Sequence, residues 1–480
     1  MFDFSLRQVA AAALICATGT LAAAQQADPA PSGRAAFPSI ALQESGASGE
    51  RAIALLGDRL PAVAAAYRKS PQALREMLLR DNSLKLDRTG RLYVVDTLDR
   101  PLPPAPATPA EQQAAAESLA PLDQTFKLHT RPTAKRTIYL DFNGAVLQGT
   151  AWNGGTPTIN ALPFDSDGNS AAFSDAELER IQYIWQRVAE DYAPFDVDVT
   201  TEQPPAARLS RASATDDIFG TTVLVTNHNG VYACSCGGVA YLGIFDDTSD
   251  FYKPALVFWD MLGAGDEKYV AEAISHEAGH NLALQHDGYA GGGYYPGHGS
   301  GATGWAPIMG VGYYQPVVQW SQGEYATANN TEDDFAVMQA TGLPLRKDDH
   351  GNKTGTATAL TATPSGALTL LSGAGVIERR KDKDFFSFSA GAGTATISVS
   401  PDARAANLDL RLQVLDASGA QLRKAQPPAT LAASLTVTLP SAGTYYLVVE
   451  GVGTGDPATT GYSDYGSVGQ YTVSGSVPTP

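Results

Sequence analysis

The stretch His276-Glu277-Ala278-Gly279-His280-Asn281-Leu282-Ala283-Leu284-Gln285-His286 gathers three imidazoles and a carboxylate in a chain of 480 residues that has only 7 histidines. In a helix of about 3.6 residues per turn, positions 276 and 280 lie roughly 40° apart on one face and about 6 Å along the axis, so both side chains reach one ion. Continued helix would turn His286 about 240° away from His280, so the chain must leave the helix between them if all three are to meet. Three neutral nitrogens fill three corners of a tetrahedron and leave the fourth for water, which is the pattern of a catalytic zinc site. Glu277, beside them, is placed to take a proton from that water and return it to a leaving amine, so the expected chemistry is hydrolysis.

Working outward, Trp305-Ala306-Pro307-Ile308-Met309-Gly310 follows the histidines, and Gly238-Val239-Ala240-Tyr241-Leu242-Gly243 and Ala255-Leu256-Val257-Phe258-Trp259 read as strands before them. Leu178, Ile181, Ile184, Trp185 and Val188 fall at helical spacing, which predicts a helix over 175–192 with Ser174 as N-cap. Phe195 to Val199 alternates as a strand.

This order resembles the metzincin metallopeptidases, over roughly 136–345. The resemblance implies a twisted sheet with an active-site helix, zinc held by His276, His280 and His286, and Glu277 as general base and acid. It implies that Met309 forms an apolar floor beneath the histidines, that Asp287 supports the third ligand as in the adamalysin-like branch, and that Gly238–Gly243 is an edge strand binding extended peptides. The family's glycine between the second and third ligands is Ala283 here. An alanine with positive φ costs on the order of 1 kcal/mol, so either this turn is strained or it has another geometry. The family's zinc-binding tyrosine position is Val311, so that role passes to neither Tyr313 nor Tyr314. A carboxylate third ligand is the rival within zinc hydrolases, with Glu324 the first glutamate after the motif.

Met1 to Ala24 has Arg7, an Ala-rich apolar stretch and Ala22-Ala23-Ala24, the pattern of a secretory signal peptide, so a secreted protein is expected. Residues 25–135 read as a pro-region or accessory region: a helical pattern from Leu60 to Leu79, a strand Arg91–Val95, a Pro/Ala linker from Pro101 to Pro109, and Lys135-Arg136 as a cut point. Cys is absent between 17 and 233, so no thiolate of that region silences the zinc. Cys234 and Cys236 are either a tight-turn disulfide, free thiols or part of a metal pairing. The net charge of −17 argues against nucleic acid or anionic membrane as partners and leaves protein or peptide substrates. Asp165-Ser166-Asp167-Gly168-Asn169 reads as a simple turn, with a structural Ca2+ loop as the other reading.

From about 350 the composition turns to Ala, Gly, Ser and Thr, and Leu408, Leu410, Leu412 and Val414 alternate with polar residues, as do 435–439 and 445–449. An antiparallel β-sandwich over 350–480 is expected, with a core of its own. Asp382 to Phe388 and Gly443 to Val449 resemble the bacterial pre-peptidase C-terminal domain of secreted peptidases. The fold class is therefore α+β, and the expected protein is a secreted zinc endopeptidase. An exported binding or adhesion protein on a degenerate peptidase fold is the alternative, against which the intact Glu277 argues.

Overall fold

The computed structural model describes residues 35–98, 102 and 119–480. The signal peptide expected over 1–24 and most of the Pro/Ala linker lie outside the described residues. The N-terminal region contributes helices Gly49–Leu56, Leu60–Ala66 and Pro71–Arg80, then β1 (Leu84–Leu86) and β2 (Leu92–Thr97). The single helical run expected from 60 to 79 is two helices. Arg68 takes φ +55° between them, and the Ser70 hydroxyl caps the second through Ala73 N at 3.1 Å ahead of Pro71. Proline at a first helical position starts a helix and cannot continue one.

The next strands are β3 (Arg136–Asp141), β4 (Ala145–Leu147), β5 (Ile159–Ala161), β6 (Val197–Thr200), β7 (Phe219–Thr226), β8 (Cys236–Tyr241) and β9 (Ala255–Phe258). A seven-stranded mixed sheet runs β1-β2-β8-β9-β7-β3-β6, in which β9, β7, β3 and β6 are parallel and β8 is antiparallel to both neighbours. The helix Asp175–Asp191 begins as expected at Ser174, whose backbone amide donates to Glu177 Oε2 at 2.9 Å. It packs against the helix Glu267–Asn281, which lies across β7, β8 and β9. Asp266 caps that second helix through the amides of Lys268 and Tyr269 at 3.0 and 3.2 Å. Successive strand residues alternate between faces. Val223, Val225 and Val257 join the core under the helices, while Leu224, Leu256 and Phe258 join the opposite core with Trp152 and Tyr241.

After the short parallel pair β10 (Trp305–Pro307) and β11 (Val317–Gln319) and the helix Asp334–Ala340, the chain forms the expected sandwich. Its strands are β12 (Thr358–Ala359), β13 (Thr361–Ser365), β14 (Leu368–Ile377), β15 (Lys383–Ala390), β16 (Gly393–Pro401), β17 (Leu410–Leu415), β18 (Gln421–Ala425), β19 (Ala433–Leu439), β20 (Gly443–Gly451) and β21 (Gly469–Pro478). They make two five-stranded sheets, β12-β15-β20-β17-β18 and β13-β14-β21-β16-β19. All neighbours are antiparallel except β12 and β15.

The expectation of two separate cores is corrected. Trp320, Phe335 and Met338 belong to one hydrophobic core with Leu408, Tyr465 and Val468 of the sandwich side. Polar bonds tie the same interface: Gln470 Nε2 donates to Glu190 at 2.9 Å, Asn407 Nδ2 to Asp191 at 2.8 Å and Gln319 Nε2 to Asn407 O at 2.5 Å. Burial of these groups together makes the sandwich a fixed part of the molecule.

Candidate metal centre

The helix Glu267–Asn281 presents His276, Glu277 and His280, all buried, toward β8. Its last carbonyls are taken up by the chain leaving β8: Gly243 N donates to His280 O at 2.8 Å and Phe245 N to Asn281 O at 2.9 Å. The turn that follows passes through Ala283 at φ +76°, so the strained geometry anticipated for an alanine in the glycine position is the one adopted. That turn delivers His286 to the other two histidines. The ring centroids are 4.7 Å apart for His276 and His280, 5.1 Å for His276 and His286, and 4.8 Å for His280 and His286.

Each imidazole is held by its Nδ1 atom. His276 Nδ1 is 2.8 Å from Ile308 O, His280 Nδ1 is 2.8 Å from Leu284 O, and His286 Nδ1 is 2.7 Å from Asp81 Oδ2 and 3.1 Å from Ser83 Oγ. The Nε2 atoms are thereby turned toward one another. His280 Nε2 and His286 Nε2 are 3.1 Å apart, and His276 Nε2, also buried, has an Asp96 carboxylate oxygen 3.1 Å away as its polar neighbour. Three buried imidazole nitrogens converging within 4.8 Å of one another and of one carboxylate oxygen form a donor set that a cation between them would satisfy. The residues present therefore fit the zinc that the motif implies. Burial, and then the neighbouring imidazoles, lower the His280 pKa to about 3, so His280 stays a neutral donor. Burial also lowers His286, but the Asp81 and Asp96 carboxylates outweigh it and bring the group to about 10; a cation at Nε2 competes with that proton.

Met309 is fully buried where the resemblance expects it. A Cβ on Gly279, between the two helical histidines, would fall 2.7 Å from Met309 Sδ, so the glycine is what lets the methionine lie against the helix. Asp287 N donates to Met309 O at 2.8 Å, which ties the residue after His286 to the same turn. Burial, with the Glu332 charge, raises the Asp287 pKa to about 8.

Glu324 does not reach the histidines. Its carboxylate accepts from Ser463 and lies 3.9 Å from Arg380 in the sandwich, so the rival third ligand is set aside. The Cys234–Cys236 disulfide is formed, with Cα atoms 5.4 Å apart at the start of β8. Asp165, Asp167 and Glu177 lie close enough to share a cation. Asp165 nevertheless already accepts the amides of Gly168 and Asn169, and Glu177 those of Ser166 and Ser174, the bonds of a turn and a helix cap. Lys135 pairs with Asp217, and Arg136 opens β3, which is bonded on both sides, so the proposed cut point lies at a central strand.

Three features were not legible in the sequence. Asp96, at the end of β2, places its carboxylate among the three histidines, with Oδ2 3.1 Å from His276 Nε2 and Oδ1 3.0 Å from His286 Nε2. Tyr294 donates to Asp96 Oδ1 at 2.9 Å, and its ring centroid is 4.2 Å from that of His286. Gly238 leaves room for Glu277: a Cβ there would meet Oε1 at 2.1 Å. Burial, then the adjacent Asp96 charge, raise the Glu277 carboxyl well above its ordinary range. The expected peptide-binding edge is also corrected, because β8 is not free in this chain but is paired with β2.

Residues 382–451 match the family model of the bacterial pre-peptidase C-terminal domain. No curated protein matches the chain. Among solved structures, the pre-peptidase C-terminal domain of the Bacillus anthracis collagenase is 16% identical, over 26% of this chain and 99% of that one, with a TM-score of 0.18. The Aeromonas hydrophila periplasmic inhibitor of g-type lysozyme, PliG, is 14% identical over 25% of this chain and 96% of its own, with a TM-score of 0.18. OgpA from Akkermansia muciniphila is 12% identical over 75% of this chain and 96% of its own, with a TM-score of 0.19. The family likeness thus belongs to residues 382–451: the sandwich carries a bacterial pre-peptidase C-terminal domain, and the histidine site stands on its own geometry.

Proposed function

We propose that this chain is a secreted zinc endopeptidase of metzincin type. The observation that carries the reading is the convergence of three buried imidazole Nε2 atoms, each fixed through Nδ1, with a carboxyl on the adjoining helical position. Zinc held by His276, His280 and His286 would supply a Lewis acid that makes bound water acidic near neutral pH. Glu277 would take the proton from that water and pass it to the leaving amine. Met309 would support the ligands without reacting. A pre-peptidase C-terminal domain in the same chain and the signal-peptide pattern at its start both suit an exported peptidase. Among the described residues no helix is long and apolar enough to cross a membrane.

The test is zinc content together with cleavage of an unstructured protein, measured on the exported protein recovered from culture. Glu277→Gln should keep zinc and lose on the order of 10² to 10⁴ in turnover, whereas His276→Ala or His286→Ala should lose the metal. Undiminished proteolysis by the Gln variant would overturn the mechanism. Retention of zinc by both histidine variants would overturn the site.

A further inference from the structure

We propose that Asp96 is a fourth protein ligand of the zinc in the intact chain, and that the strand carrying it fills the edge along which a peptide substrate would lie. The proposal rests on the zinc reading above. Four ligand atoms, one each from Asp96, His276, His280 and His286, all lie within 4.8 Å of one another. The Asp96 Oδ2 atom is 3.1 Å from His276 Nε2 and 3.9 Å from His280 Nε2, and Oδ1 is 3.0 Å from His286 Nε2. A carboxylate in this position faces all three nitrogens, where a hydrolytic site needs water. Tetrahedral N3O coordination satisfies zinc and closes it to substrate.

The backbone explains how the carboxylate arrives there. Leu92 and Val94 pack toward the N-terminal helices, so Asp96, two residues on, shares the face that carries the active-site helix. Val95 pairs with Val239 but Thr97 pairs with Cys236, so Gly237 and Gly238 together stand opposite Asp96 in a bulge. A bulge re-aims side chains beside it, and two glycines leave the space. Beyond the bulge, Leu98 N donates to Ser235 O at 2.8 Å, and before it Leu242 N donates to Leu92 O at 2.9 Å. These are the main-chain bonds that an added peptide strand would make with β8.

The same region also grips the third histidine from behind. Asp81 and Ser83 bond His286 Nδ1, and Arg80 donates to Gln285 Oε1 at 2.6 Å and to Asn329 O at 2.8 Å. Tyr294 holds the Asp96 oxygen that faces His286. The N-terminal region therefore acts as an internal competitor without a thiol, in keeping with the absence of Cys from 17 to 233. Release of the strand frees both the coordination position and the β8 edge.

The test uses the full chain loaded with cobalt(II) in place of zinc, comparing wild type, Asp96→Ala and Asp96→Asn. The probe is acetohydroxamate, which needs an open metal position and not the strand edge. Folding is checked by circular dichroism, and Asp96→Asn keeps the side-chain shape should Asp96→Ala misfold. Wild type should show a four-coordinate visible spectrum that acetohydroxamate leaves unchanged. Both variants should keep the metal, bind acetohydroxamate at least about tenfold more tightly, and hold zinc about tenfold or more less tightly against a chelator. If acetohydroxamate perturbs the wild-type spectrum as readily as that of the variants, Asp96 is only an ion-pair partner of the histidines and the proposal falls while the three-histidine site stands. If wild type binds no cobalt, or His276→Ala binds it equally well, the zinc reading falls and this proposal with it.

Discussion

Ala283 shows how one residue sets a site. It turns the chain out of the helix at φ +76°, a conformation that L-alanine pays for and glycine does not, and the turn is what brings His286 beside His280. The alanine Cβ also lies where a Cβ on Gly243 would come within 3.2 Å of it, so the two chain segments are already close. Ala283→Gly should therefore raise stability by up to about 1 kcal/mol, less the entropy that glycine adds to the unfolded chain, and leave zinc content unchanged. Thermal unfolding of the two proteins at equal zinc checks this. A drop in melting temperature would mean that the methyl group is packed more usefully than its backbone strain suggests. Gly238 is the opposite case, since its lack of a side chain is what admits the Glu277 carboxyl.

At the scale of elements, the helix Glu267–Asn281 and the turn at Met309 are a single unit. His276 is bonded to Ile308 O, Asp287 N to Met309 O, and Met309 Sδ sits over Gly279. Gly279→Ala would drive a methyl group to 2.7 Å from that sulfur. Alanine favours the helix by about 1 kcal/mol, but overpacking a closed core costs about 1 to 3 kcal/mol, so a net loss is expected. Zinc affinity should fall with it, because the shifted Met309 turn carries the carbonyl that orients His276. A zinc titration and a melting curve read both effects. The same helix explains why periodicity says little here: every residue from Tyr269 to Asn281 is buried, so no polar face remains to be read.

For the whole molecule, the joined core changes what a truncation does. A chain ended near Leu345 would strip Leu408, Tyr465 and Val468 from Trp320, Phe335 and Met338, and would leave Glu190 and Asp191 without Gln470 and Asn407. Such a chain should unfold at lower temperature or precipitate, rather than fold with full peptide-cleaving activity. Expression of 1–345 beside the full chain, followed by calorimetry and zinc analysis, decides between them. The sandwich carries a pH response as well. Burial, opposed by the Tyr462 hydrogen bond, raises the Asp409 pKa from 3.8 to about 7. The native state then keeps a proton that the unfolded state releases above about pH 4, so this group's contribution to stability declines as pH rises from about 4 to about 7 and is level beyond. Asp409→Asn should flatten that part of the curve, raising the melting temperature at pH 8 relative to wild type. Parallel melting curves at pH 5 and pH 8 would count against the assignment.

The sequence by itself indicated that three histidines, the glutamate beside them and Met309 come together, because residue spacing on a helix and a turn after it are local facts. It determined the alternating strands of the sandwich for the same reason, since side-chain period is a property of the strand alone. Ala283 marked a turn whose geometry was open until its φ was seen. Only the tertiary structure decided that Asp96 enters the site from a strand about 180 residues upstream of His276, that Asp81 holds His286, and that Glu324 faces the sandwich instead. It also decided that two compositional regions share one core. Such facts depend on which surfaces meet across long loops, and an isolated aspartate at a strand end carries no periodicity, spacing or charge pattern that records its partner.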